Sequence, residues 1–155
     1  MPKLIKHGEI LEDDWLPAEP DAGSASAGRI LTLEQWSEVA DKRGLAVQLE
    51  PGQAPSPLFD FLADIPLVAI HFPLFTDGRG FSYGRELREH GFTGELRACG
   101  HILPDQMTYL RRCGFDAFQL ADESRLETAL ASLADFDEYY QASIDQPLPL
   151  FRRRR

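Results

Sequence analysis

Four short apolar runs, each followed by a segment of helical period, set the strongest limit on how this chain folds. The runs are Leu45 to Leu49, Leu67 to Phe72, Gly94 to Cys99 and Ala117 to Leu120. After the first comes a segment opened by Ser56-Pro57 and running through Ala63. After the second comes a helical pattern from Phe81 to Glu89. After the third, Pro104 starts a helix with Met107, Leu110 and Cys113 on its inward side. After the fourth, Asp122 caps a longer helix, whose apolar face carries Leu126, Ala129, Leu130, Leu133, Phe136 and Tyr140. Strands joined through helical crossovers run parallel. The expected fold is therefore α/β, a parallel sheet of about four consecutive β/α units, either half-barrel-like or open.

Ahead of these units, Lys3 to Ile5 and Glu9 to Leu11 flank a turn at Gly8 and read as a short N-terminal β-hairpin. A polar, small-residue loop from Pro17 to Gly28 follows. Arg29-Ile-Leu31 then makes a short strand, and Thr32 with Gln35 has the spacing of a capping box for the helix carrying Leu33, Trp36 and Val39. Residues 1–145 form one expected domain, and residues 146–155 an extended, basic tail.

The side chains of the four runs alternate in character. Val47, Leu49, Val68, Ile70, Phe72, Leu96, Ala98, Phe118 and Leu120 fall on one parity, with small or polar residues on the other. Strand side chains alternate with period two, so each strand is expected to turn an apolar row toward the helices. Gln48, His71, Arg97 and Gln119 then share the opposite face. A polar row of that kind resembles the inside of a barrel near its mouth, where ligands bind. Gln48, His71 and Gln119 are the expected pocket-lining residues. Cover by the N-terminal hairpin or by a second subunit is the other reading of that face.

Charge narrows the list of partners. The 155 residues carry a formal net charge of -9 even with four arginines at the end. A body this acidic repels phosphate backbones, so nucleic acid is not an expected partner. No apolar run reaches the roughly 18 residues of a membrane span. The start has no signal-peptide core, which points to the cytoplasm. The two cysteines, Cys99 and Cys113, stand in no ligand-like spacing, so neither a metal site nor a disulfide framework is expected.

The most distinctive turn follows the second strand: Asp77-Gly-Arg-Gly80, leading into Ser82 and Gly84. Its glycine spacing comes near a dinucleotide-binding loop, but several residues intervene after the strand. The next strand ends in Cys99-Gly100, where a ribose-binding acid belongs. No cofactor motif is evident. The better functional reading is an anion cradle, with Gly78 and Gly80 presenting backbone amides and Arg79, Arg85 and Arg97 supplying charge. The alternative is a tight turn in which Asp77 caps the helix. His71 and His101 at strand ends, with Asp77 and Asp105, complete the candidates for acid–base work.

With these motifs in place, the chain resembles an uncharacterised bacterial family whose genes commonly lie beside the sulfite reductase haemoprotein. Its members are often labelled oxidoreductases of sulfite reduction. The resemblance is carried by Glu12-Asp-Asp-Trp15, Ile30-Leu31 with Trp36, Phe72-Pro-Leu-Phe-Thr-Asp-Gly-Arg79, Gly94-Glu-Leu-Arg-Ala98, Asp105-Gln106 and Arg112-Cys-Gly-Phe-Asp-Ala-Phe118. Family members often carry an acid where this chain has His101, so a role at that position does not carry over. The resemblance implies an accessory protein of assimilatory sulfite reduction, docking to the reductase or its electron donor. The residues themselves also admit a small-oxyanion or phosphometabolite enzyme, and a non-catalytic homodimer.

Overall fold

The computed structural model describes residues 3–17, 28–74 and 78–135. Asp77, the helical positions Phe136 and Tyr140, most of the loop before Gly28 and the basic tail lie outside them. The described residues form one seven-stranded sheet, ordered β2-β1-β7-β6-β5-β4-β3. The strands are β1 (Lys3–Lys6), β2 (Glu9–Glu12), β3 (Ile30–Thr32), β4 (Ala46–Leu49), β5 (Leu67–Phe72), β6 (Glu95–Gly100) and β7 (Ala117–Leu120). The α-helices are α1 (Leu33–Glu38), α2 (Arg79–Glu89), α3 (Met107–Arg112) and α4 (Leu126–Asp135). The sheet is open and mostly parallel, as the alternation requires.

From β3 to β7 the strands lie side by side in chain order, and every neighbouring pair is parallel. Crossovers between parallel strands are right-handed. A chain that always advances in one direction therefore lays its connecting segments on one face. The buried cluster on that face joins Val47, Val68, Ile70 and Leu96 to Trp36, Leu58, Leu87 and Leu110 from the connecting segments. A smaller cluster on the other face joins Ile30, Ala46, Leu67 and Ala69 to Trp15 and Cys99, with no helical residue in it. Because the strand order never reverses, the sheet has no topological switch point, the feature that opens a nucleotide crevice in doubly wound folds.

The hairpin closes through His7 and Gly8, both at positive φ (56° and 75°). Two such residues in a row match the twist of a tight hairpin turn. The hairpin does not stand apart: β1 pairs antiparallel with β7, setting Ile5 opposite Phe118. At the far edge, Ile30–Thr32 is a fifth parallel strand, so the β/α repeat begins one unit earlier than the four apolar runs suggest. Thr32 and Gln35 make the expected reciprocal capping box at α1.

Three helical segments take a more specific form than the sequence pattern shows. Ser56–Asp64 is helical as expected, and of the 3₁₀ kind. The segment opened by Pro104 divides into a 3₁₀ turn, Pro104–Gln106, and α3. Finally, α2 starts at Arg79, with Gly78 at its N-cap and no side-chain cap there, so Gly80 lies inside the first turn. The reason is packing. A Cβ on Gly80 would stand 2.6 Å from the Phe72 ring, and one on Gly84 would stand 2.5 Å from the Phe115 ring. The two glycines, one helical turn apart, let α2 lie directly on the aromatic floor of the sheet.

Candidate functional site

Gln48, His71, Arg97 and Gln119 share one face of the sheet. In the sheet register, Gln48, Ala69, Arg97 and Ala117 form one line across the face without helices, and His71, Cys99 and Gln119 form the next. The segment after β2 folds across this face and delivers Asp13 and Trp15 to it. Asp13 accepts the backbone N–H of Trp15, which fixes the turn that brings its other oxygen inward.

Arg97 is the centre of the row, and only 2% of its surface is exposed. Its Nη1 donates to Asp13 Oδ2 at 2.8 Å, and its Nη2 lies 2.8 Å from Glu95 Oε2. Glu95 is also paired with Lys6 from β1, and Gln119 completes the cluster at 3.4 Å from both Arg97 Nη1 and Asp13 Oδ2. Burial alone pulls an arginine pKa down, but Asp13 and Glu95 more than reverse that, and the guanidinium is held above its ordinary value. Arg97 is therefore a cation enclosed by two carboxylates rather than one turned toward a ligand.

One step toward the carboxyl ends of the strands lies a second cluster. His71 Nδ1 is 2.6 Å from Glu50 Oε1, and the other oxygen of Glu50 accepts from Gln48 Nε2 at 2.8 Å. The backbone N–H of Glu50 donates to Gln53 Oε1, whose amide donates to Glu34. Gly52 donates its N–H to the Tyr83 hydroxyl on α2, and Arg79 Nη1 lies 3.6 Å from where a Gly52 Cβ would stand. The loop after β4 is thus pinned against the start of α2. Cys99 is the register partner of His71, and burial pushes its thiol up to about 12, with Arg97 pulling the other way. At neutral pH it is a protonated thiol, not a nucleophile.

The remaining candidates do not join this cluster. His101 is exposed, and its side chain makes no hydrogen bond among the described residues; only its backbone N–H is engaged, on Phe72 O at 2.7 Å. Asp105 is exposed in its 3₁₀ turn and lines a cavity of about 320 Å³ with Arg125 and Thr128. Gly78 and Arg79 are exposed at the head of α2, and Arg85 is half-buried further along it. Asp77, the candidate helix cap, lies outside the described residues. A larger cavity, about 1070 Å³, lies at the opposite, amino ends of β6 and β7. Ile5, Phe92, Phe115, Phe118 and Leu133 line it, together with Lys6, Arg88 and Asp116.

Two residues central to the arrangement were not among the sequence candidates. Glu50 stands one position past its strand, where an acid reads as ordinary loop. Asp13 belongs to a run of acids at the end of the hairpin, 84 positions before Arg97. A buried arginine demands an acid from somewhere in the chain, which is the one signal that pointed toward Asp13.

Residues 46–151 match the model of a bacterial protein family of unknown function, DUF934. The chain belongs to this family. The DUF934 match begins at the first residue of β4, so it takes in Gln48, Glu50, His71, Arg97 and Gln119, while Asp13 lies before it. No curated protein and no solved structure matches the chain.

Proposed function

We propose that this chain is an accessory protein of assimilatory sulfite reduction, docking by charge to the sulfite reductase haemoprotein or to its electron donor. The sulfite-reduction part of this reading comes from the family resemblance. The docking part rests on one observation about the surface. Among the described residues, fourteen Asp and Glu side chains are exposed against five Lys and Arg. The fold achieves this by drawing cations inward: Arg97 sits between two carboxylates, Lys6 is held by Glu95, and Arg88 donates to the Gly114, Phe92 and Gly94 carbonyls. What remains exposed among the described residues is predominantly acidic, the form of surface that speeds encounter with a basic partner and fixes its orientation.

The oxyanion reading is weaker, because its best-placed cation, Arg97, is enclosed. The acids Glu50 and Asp13 also stand where an anion would have to approach. On the accessory reading the protein works in the cytoplasm beside a redox enzyme and supplies contact rather than electrons. Co-purification tests it. The tagged chain should enrich the reductase or its donor from a cell extract at low ionic strength and lose it as salt is raised, as screening of exposed charges requires. Recovery no greater than with an unrelated acidic bait of equal charge would contradict the proposal.

A further inference from the structure

We propose that His71 is the proton-accepting group of a small-molecule site at the carboxyl ends of β4, β5 and β6, with Glu50 as its positioning residue. The inference stands on geometry alone and does not depend on the docking reading. An ionised carboxylate only accepts hydrogen bonds. Glu50 Oε1, at 2.6 Å, therefore places the imidazole proton on Nδ1 and leaves the lone pair on Nε2. Gln48 donates to the second oxygen of Glu50, and Gln53 accepts from its backbone N–H, so both contacts favour the orientation that faces His71.

The edge of the His71 ring lies against Gly100, the register partner of Phe72, which has φ of +107° and no side chain. A Cβ there would stand 2.5 Å from Phe72 O, 2.9 Å from His71 Cδ2 and 3.2 Å from Nε2, so the glycine makes room first for the neighbouring backbone and then for the ring edge. Nε2 has no hydrogen-bond partner among the described residues. The His71 side chain is 32% exposed, so the ring is reachable from solvent. A carboxylate-held imidazole with its far nitrogen open is the arrangement of a general base. The other groups facing the ring are the Cys99 thiol on β6 and, beyond Glu50, the polar end of Gln48 on β4.

The chemistry fits a small polar molecule that gives up an O–H or N–H proton. The proton passes to Nε2, the bonding pair stays on the ligand's heteroatom, and the charge of the resulting imidazolium faces the Glu50 carboxylate. His90 serves as an internal reference, because its Nδ1 lies 2.9 Å from a backbone carbonyl, Glu86 O, instead of a carboxylate.

Two readings on the full-length chain test this. Nitrogen-15 NMR of the histidine rings, above the pH at which their shifts stop changing, should show His71 as the Nδ1–H tautomer. In Glu50→Ala it should revert to the Nε2–H form that an unconstrained imidazole prefers. Diethyl pyrocarbonate, mapped by mass spectrometry on the same high-pH plateau, should acylate His71 several-fold faster than His90. Glu50→Ala should remove that advantage and leave His90 unchanged. Gln48→Ala, which keeps the carboxylate but frees it, should reduce the advantage in part and guards against misfolding of the first variant. An Nε2–H tautomer in the unaltered chain, a His71 rate no greater than that of His90, or a rate indifferent to Glu50→Ala would each overturn the proposal.

Discussion

Asp13 and Arg97 are 84 positions apart in the chain, and their side chains meet at 2.8 Å where Arg97 is almost wholly buried. This contact ties the segment after the hairpin to the central strand β6 and covers the face of the sheet that the helices leave bare. Without it, the one-directional winding of β3 to β7 would leave a polar row of side chains facing water.

A buried ion pair is costly to break, because the surviving charge loses its partner without regaining solvent. Arg97→Ala and Asp13→Ala should each destabilise the fold by about 3–5 kcal/mol. Arg97→Met together with Asp13→Leu should cost less than either single change. Urea unfolding measures this directly. A loss under about 1 kcal/mol for Arg97→Ala, the range of an exposed pair, would mean that the network does not hold the segment.

Gly84 provides a test in which two principles oppose each other. In an exposed helix interior, glycine to alanine stabilises by about 1 kcal/mol. Here the new Cβ would stand 2.5 Å from the Phe115 ring, and overpacking of that kind typically costs about 1–3 kcal/mol. Gly84→Ala should lower the melting temperature, and Phe115→Leu in the same chain should recover part of the loss. A higher melting temperature for Gly84→Ala would show that α2 has room to move off the sheet.

The Cys99 thiol is raised in the folded chain from 9.0 to about 12, chiefly by burial. The unfolded chain therefore loses this proton first as pH rises. The stability that Cys99 contributes is whole below pH 9.0 and disappears as pH climbs through about 12. Over that interval Cys99→Ala should lose less stability than the parent chain, measured by denaturant midpoints. Iodoacetamide should react slowly with Cys99 at neutral pH. Rapid alkylation there would contradict the burial of the thiol.

Much of this fold is legible in the sequence, for identifiable reasons. The alternation of Val47, Leu49, Val68 and Ile70 with Gln48, Ala69 and His71 carries both the parallel sheet and its two unlike faces, because strand parity is a local property. The partners of the polar row are not local. Asp13 reaches Arg97 through the tertiary path of a segment with no periodicity, and Glu50 reaches His71 across two neighbouring strands from a loop position. The glycines of α2 show the converse. Gly80 and Gly84 draw the eye as a ligand-binding turn, yet their visible role is to clear Phe72 and Phe115, which only the packed structure reveals. The match places the chain in DUF934, a bacterial family of unknown function, and the proposed role in sulfite reduction rests on the resemblance alone.

The central claim, a place in sulfite reduction, is tested most directly by growth. A strain lacking this gene, supplied in turn with sulfate, sulfite or sulfide as its only sulfur source, should grow poorly on the first two. On sulfide it should match the parent, with growth on sulfate and sulfite restored by the gene in trans. Parental growth on all three sources would contradict the account.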